Sequence, residues 1–166
     1  MFRVFTLIII FLFVNAEKYT YASNSSEELG SIDFSTSVSG TAQNHFLHGV
    51  AALHSFWYTE ALSAFKKSIS VDPQFAMGYW GLAMAHNHPL WEEQDYKSAK
   101  AALSKINNIS KLTQREQDYI HAIRLLYGKG EKHARDKAYS KAMKKIYHNY
   151  PDDLEAACFY SLSLIH

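Results

Sequence analysis

The stretch AALHSFWYTEALSAFKKSISVDPQFAMGYWG, residues 51–81, decides the fold. Its central helix carries a stripe of mostly apolar residues at three- and four-residue spacing: Ala61, Leu62, Phe65, Ser68 and Ile69. Pro73 cannot continue that helix, and another helix begins directly after it. Two antiparallel helices joined by a short turn, and stacked on a similar pair, form the repeat unit of a helical solenoid. The stretch therefore predicts an all-α protein.

Small and bulky residues recur at a regular spacing beyond this stretch. Tetratricopeptide repeats have a period of about 34 residues and an A-x3-F…P pattern in and after the second helix. Ala61 and Phe65 fit the pattern, Pro73 follows eight residues after Phe65, and Gly49 lies twelve residues before Ala61. Weaker matches follow at Ala99, Leu103, Met143 and Pro151. The pattern predicts a right-handed solenoid of three helical hairpins plus the first helix of a fourth over residues 41–166.

Two local signals place helix ends within this order. The sequence HNHPLW, residues 86–91, interrupts the helical pattern because Pro89 cannot sit inside a helix. The sequence TQRE, residues 113–116, is a capping box that predicts the start of a new helix.

The composition excludes some classes of partner. The formal net charge is +1, from 17 Lys and Arg against 16 Asp and Glu, so no strong field attracts nucleic acid or a membrane surface. We therefore expect no nucleic-acid partner. Cysteine occurs once, at Cys158, which excludes an intramolecular disulfide.

The first residues have the pattern of a secretory signal peptide. A short basic start, residues 1–3, precedes an apolar run over residues 4–14, and Val14 and Ala16 are small residues suited to a cleavage site. The run is shorter than the roughly 20 residues that span a bilayer. We expect residues 1–16 to be removed and the protein to be periplasmic or secreted, without a stable membrane span. An uncleaved anchor is the alternative.

Residues 17–40 are rich in serine, with seven between Ser23 and Ser39. This composition predicts a flexible lead segment that packs poorly. Within it, a short extended piece can dock through Ile32 and Phe34. The helical domain is expected to begin after the segment, at residue 41.

Aromatic and apolar side chains on the first helices of the hairpins suggest a concave groove. The candidate groove residues are Phe46, Val50, His54, Trp57, Trp80, Met84 and His88. A groove of this kind binds an extended or helical peptide. The competing interpretation, which we favour for the aromatic residues, is that these rings pack between adjacent hairpins.

The histidines and the cysteine raise the question of chemistry. His45 and His48 share a helix, and His86 and His88 flank a break, but the sequence has no HExxH or CxxC motif. Cys158 could act as a nucleophile, although a small buried hydrophobic role fits its helix better. We therefore expect no catalytic residue, no metal site and no cofactor.

A closer resemblance extends from Gly30 to Leu164. It is carried by the segments GSIDFSTS (30–37), HSFWY (54–58), YWG (79–81), HPLW (88–91) and YPDD (150–153). In these segments the chain resembles bacterial envelope tetratricopeptide-repeat proteins with an LLHSFWYxEAxxxF start. That family has no settled biochemical role, so the resemblance implies an architecture more than an activity. The chain departs from it at Val38, where such proteins often have cysteine.

These observations predict an exported interaction scaffold. It would present a rigid concave surface to a protein or peptide partner, without covalent chemistry. The alternative is the N-terminal part of a larger envelope enzyme or metal-binding protein. The sequence stops inside a predicted helix at His166, and members of the resembling family are usually much longer, so we expect a chain truncated at its C-terminus.

Overall fold

A computed structural model describes residues 29–165 of the chain, and the predicted signal peptide lies outside the described residues. This part of the chain forms seven α-helices. They are α1 (Thr41–His54), α2 (Tyr58–Val71), α3 (Ala76–Met84), α4 (Tyr96–Leu103), α5 (Gln114–Leu126), α6 (Lys132–Asn149) and α7 (Leu154–Leu162). The prediction of a mainly helical protein is confirmed. Among residues 29–165, no helix combines the length and the apolar content needed to cross a bilayer.

Side chains of the sequence itself define several helix ends. The Thr113 side chain accepts from the backbone of Glu116, and the Glu116 carboxylate accepts from the Thr113 N–H, which confirms the predicted capping box at the start of α5. Asp95 and Asp153 cap α4 and α7 by accepting from backbone N–H groups three residues ahead. Pro73 follows the end of α2.

The predicted break at residues 86–91 contains structure that the sequence pattern did not indicate. Strand β1 (Asn87–His88) pairs antiparallel with β2 (Glu93–Gln94), and a single 3-10 turn (Pro89–Trp91) joins them. Glu92 adopts a φ of 55° at the end of that turn. The result is a small hairpin between α3 and α4.

Helix α3 is the centre of the packing. It contacts α2 and α4, its neighbours in sequence, and also α1 and α5. Helices α1 and α2 pack together, as do α5 and α6 and then α6 and α7. The signature residues Ala61, Phe65, Ala99, Leu103 and Met143 are all buried, whereas Pro73 and Pro151 are exposed just beyond helix ends.

The Phe65 ring explains two glycines. A Cβ atom built on Gly49 would lie 2.6 Å from the ring, and one on Gly81 would lie 2.2 Å from it. Helices α1 and α3 therefore approach α2 from two sides at distances that only glycine allows. Gly49, which the sequence singles out by its spacing from Ala61, therefore has a packing role.

The lead segment corrects one expectation. Residues 29–40, the later part of the stretch predicted to be flexible, pack against the helices. Phe34 is fully buried and Ile32 is partly buried against the core, as docking through these two side chains required. Apolar burial and hydrogen bonds to α5 outweigh the serine-rich composition here.

Candidate functional site

Three predicted groove residues belong to the core. Phe46, Val50 and Trp80 are each at most 1% exposed, so the prediction that they line an open groove needs correction. The reason is Phe34, whose ring centroid lies 5.3 Å from Phe46 and 5.6 Å from Trp80. Phe159 of α7 covers Trp80 as well, at 5.4 Å. The packing interpretation of these aromatic residues fits their burial.

Hydrogen bonds hold the lead segment in place. The Ser37 N–H and hydroxyl both donate to Glu116 Oε1, each at 2.9 Å. Arg115 Nη1 donates to the Ser35 carbonyl at 2.9 Å, and Gln43 Nε2 donates to the Phe34 carbonyl at 2.8 Å. The backbone of the segment is therefore paired with side chains of α1 and α5.

A polar network around Asp153 holds Arg115 in the position from which it contacts the lead segment. Asp153 Oδ2 accepts from Arg115 Nε at 2.6 Å and from the Tyr119 hydroxyl at 2.9 Å. The Arg115 guanidinium lies 4.4 Å from the centre of the Phe34 ring, in the position of a cation–π contact. Burial and the Asp153 carboxylate raise the pKa of Tyr119 far above its ordinary value, so its hydroxyl remains a donor.

An open cavity remains where α1, α3 and α7 end near one another. Its volume is about 360 Å³. Its walls are mostly apolar and include Leu53, Met84, Pro89, Tyr139, Phe159 and Leu162. The polar groups at the cavity come from His54, Tyr58, Asn87, Ser161 and Ser163. Of the predicted groove residues, the structure brings His54 and Met84 to this cavity.

Two polar groups of the cavity wall are distinctive. His54 Nε2 is hydrogen-bonded to Glu155, whose carboxylate is nearly buried, and the His54 ring packs on Phe159 with centroids 5.0 Å apart. The Tyr58 hydroxyl is buried without a hydrogen-bond partner among the described residues, and burial raises the pKa of Tyr58. An unpaired buried hydroxyl is costly.

Sequence reasoning missed the contribution of the last two helices. Tyr139 lies on α6, and Phe159 and Leu162 lie on α7, far along the chain from the HSFWY turn that drew attention first. Glu155 is 101 residues away from His54. Local spacing carries no information about such pairs, and only the stacking of hairpins predicts that the helices meet.

Cys158 also lines the cavity, but its environment does not activate it. The residue is exposed, which corrects the expectation of a buried hydrophobic role. Partial desolvation of the sulfur, together with the nearby Glu155 carboxylate, raises the pKa of Cys158. The thiol therefore stays protonated near neutral pH, whereas a nucleophile requires the thiolate.

Each of four histidines lies near one carboxylate. His48 Nε2 is 2.8 Å from Glu60, and His54 pairs with Glu155. Longer contacts join His86 to Asp95 and His88 to Glu93. Within residues 29–165, no three His, Cys, Asp or Glu side chains are grouped so that they could hold a metal ion.

The remaining two predicted groove residues lie outside the cavity. Trp57 is half-exposed, and His88 stacks on Tyr58 with ring centroids 3.9 Å apart. Phe56 and Tyr58 separate them from the cavity, since these two rings line both the cavity and a shallow depression beside it.

The fold and the cavity define a mostly helical protein with packed adjacent helices and an apolar recess. No protein-family model, no curated protein and no solved structure matches the chain. The site must therefore be interpreted from its own geometry.

Proposed function

We propose that the protein is an exported, non-catalytic interaction module built from tetratricopeptide-like repeats. Its cavity holds a bulky apolar side chain from an extended segment of a partner protein. The order of helix contacts supports the repeat assignment, because α1, α3 and α5 stack through α3 while the second helices pack against their own hairpins. The Gly49–Phe65–Gly81 contact supports it too, since it explains why the repeat pattern contains glycine.

The observation that carries the binding role is the open cavity with its mostly apolar walls. A volume of about 360 Å³ falls at the small end of the range of ligand sites, roughly 300–1,000 Å³, and suits one large side chain with adjoining backbone. Apolar walls favour a Leu, Met, Phe or Trp side chain. The Asn87 amide in the cavity wall can then bond the partner's backbone.

The chemistry of the same walls supports a non-catalytic role. Cys158 is kept as a thiol, and the hydrogen bond of His54 goes to Glu155. Catalysis by nucleophilic attack needs a nucleophile within hydrogen-bonding reach of its base. A net charge of +1 gives no strong electrostatic attraction for nucleic acid, so the proposed partner is a protein or peptide.

Panning a random peptide library on the protein tests this function. Enriched peptides should share a large apolar residue at one fixed position. The variant Ser161→Trp should weaken their binding at least tenfold, because Ser161 is an exposed residue of the cavity rim where an indole can fill the cavity. The control Ser104→Trp places the same ring on an exposed site at the end of α4 and should bind as the wild type does.

Circular dichroism shows whether both variants keep the helical content of the wild type. Equal binding by Ser161→Trp and the wild type would contradict the proposal, as would enriched peptides without a shared apolar position.

A further inference from the structure

Two loops bring exposed apolar side chains together beside the cavity. The turn between α1 and α2 supplies Phe56 and Trp57, and the turn of the β1–β2 hairpin supplies Leu90 and Trp91. The Phe56 and Trp91 rings meet edge to face, with centroids 6.3 Å apart. We call these four residues the aromatic ridge.

The aromatic ridge is open to solvent. Phe56 is 36% exposed, Leu90 46%, Trp57 49% and Trp91 57%. Each indole can bury about 150–250 Å² in a contact. A cluster of exposed apolar side chains is typical of an interaction site.

The backbone of both loops is held in an uncommon conformation. Phe56 has φ 57° and Glu92 has φ 55°, and these are two of the three non-glycine residues with positive φ in the described chain. This region of φ is rare for a bulky aromatic residue. The Phe56 side chain remains partly exposed in this conformation, so the strained backbone is not explained by burial of the ring in the core. Strained backbone of this kind clusters at binding sites.

The tip of the ridge has an acidic border. Residues 55–60 and 86–95 contain Glu60, Glu92, Glu93 and Asp95, and neither segment contains Lys or Arg. The Glu60 carboxylate is engaged by His48, whereas the Glu93 side chain is 74% exposed. Glu92 is exposed as well. Carboxylates beside open indole faces attract cations and repel anionic surfaces such as phosphate-rich lipid or nucleic acid.

We propose that the aromatic ridge is a second interaction surface, which docks a partner protein through Lys or Arg side chains. The cationic groups lie over the exposed faces of Trp57 and Trp91, and Glu92 and Glu93 balance their charge. Arginine fits best, because its planar guanidinium stacks on indole faces and pairs with carboxylates. The surface adjoins the apolar cavity and shares Phe56 with it, but the two indoles that contact the cationic groups, Trp57 and Trp91, do not line the cavity.

Intrinsic tryptophan fluorescence provides a direct test with the full chain. The protein has three tryptophans; Trp80 is buried, so a change on titration reports on Trp57 and Trp91. The probes are three synthetic peptides of one length that carry three Arg, three Glu or three Leu among Gly and Ser. The Arg peptide should bind, and its affinity should fall as salt is raised. The Glu peptide should not bind, and the Leu peptide should bind at least fivefold more weakly.

Matched variants locate the binding. The single substitutions Trp57→Ala and Trp91→Ala should each weaken the Arg peptide at least fivefold. Glu92→Gln with Glu93→Gln should weaken it threefold or more and flatten its salt dependence. Tyr147→Ala, at an exposed aromatic residue of α6, and Glu131→Gln, at an exposed acidic residue before α6, should leave its affinity unchanged.

Three results would overturn the proposal: equal affinity for the Arg and Leu peptides, unchanged affinity in the glutamine double variant, or binding of anionic phosphatidylglycerol vesicles in place of the Arg peptide. The cavity variant Ser161→Trp separates the two surfaces. It should retain Arg-peptide binding even if the proposed role of the cavity fails.

Discussion

At the scale of single residues, Phe65 shows how one ring sets the distance between three helices. Its edge occupies the space where Gly49 and Gly81 lack a side chain, so α1 and α3 both pack closely on α2. Neither glycine has a positive φ, and so its missing Cβ matters for space and not for backbone conformation.

The close contact leads to a first prediction for Gly81→Ala. The new Cβ would lie 2.2 Å from the Phe65 ring, so overpacking should lower the free energy of unfolding by about 1–3 kcal/mol despite the better helix propensity of alanine. Urea unfolding followed by circular dichroism measures the change.

Two further variants decide the cause. Gly78→Ala, on the same helix, should cost less, since its Cβ would lie 3.0 Å from Ile69 Cγ1, an overlap that a shift of a few tenths of an ångström relieves. Adding Phe65→Leu to Gly81→Ala should recover part of the loss, because leucine leaves room for the methyl group. Strict additivity of the Gly81 and Phe65 effects would contradict steric overlap.

The same residues show how far sequence reasoning reaches. Gly49, Ala61, Phe65 and Pro73 follow a repeat spacing, so the burial of the first three and the place of Pro73 beyond a helix end were predictable. The Phe34 contacts with three helices were not, because a docked loop has no period. The cavity was only partly predictable, since half of its lining residues lie on α6, on α7 or just after α7. The position of these helices depends on the geometry of every turn that precedes them.

At the scale of elements, the N-terminus of α5 performs two tasks through one carboxylate. Glu116 Oε2 accepts from the Thr113 N–H and hydroxyl, which completes the capping box. Glu116 Oε1 accepts from Ser37, which fixes the lead segment. The side chain is fully buried, so its four hydrogen bonds replace the water that it has lost.

The double role predicts a large effect of Glu116→Gln. An amide nitrogen at either oxygen position cannot accept, so one backbone N–H, that of Ser37 or that of Thr113, loses its acceptor. The free energy of unfolding should fall by about 1.5–3 kcal/mol, as expected for the loss of a hydrogen bond to a charged group. Chemical denaturation measures it, and hydrogen exchange should show faster opening of the Ser37 N–H or the Thr113 N–H.

The variant Ser37→Ala serves as the control. It removes the hydroxyl bond alone and keeps the backbone bond, so it should cost only about 0.5–1.5 kcal/mol. Equal stability of the two variants would mean that the carboxylate does not join the lead segment to α5.

At the scale of the whole molecule, the lead segment links hairpins that are far apart in sequence. The Phe34 ring touches Phe46 of α1, Trp80 of α3 and Tyr119 of α5. In a stack of repeats each hairpin contacts mainly its neighbours, and the ends can open separately. A ring held by α1, α3 and α5 adds a connection between these helices and should make unfolding more cooperative.

Phe34→Ala tests this connection. Loss of a fully buried phenylalanine should lower the free energy of unfolding by about 3–5 kcal/mol, a large share of the roughly 5–15 kcal/mol of a typical domain. Because the ring joins three helices, amide exchange measured by mass spectrometry should accelerate in α1, α3 and α5 together. Ile32→Ala, at a partly buried side chain of the same segment, should cost less and leave α3 protected. If exchange accelerates only within residues 29–40, Phe34 anchors the lead segment and does not link the helices. In that case α1, α3 and α5 hold together through their own contacts, and the variant exposes Phe46 and Trp80 as an apolar face.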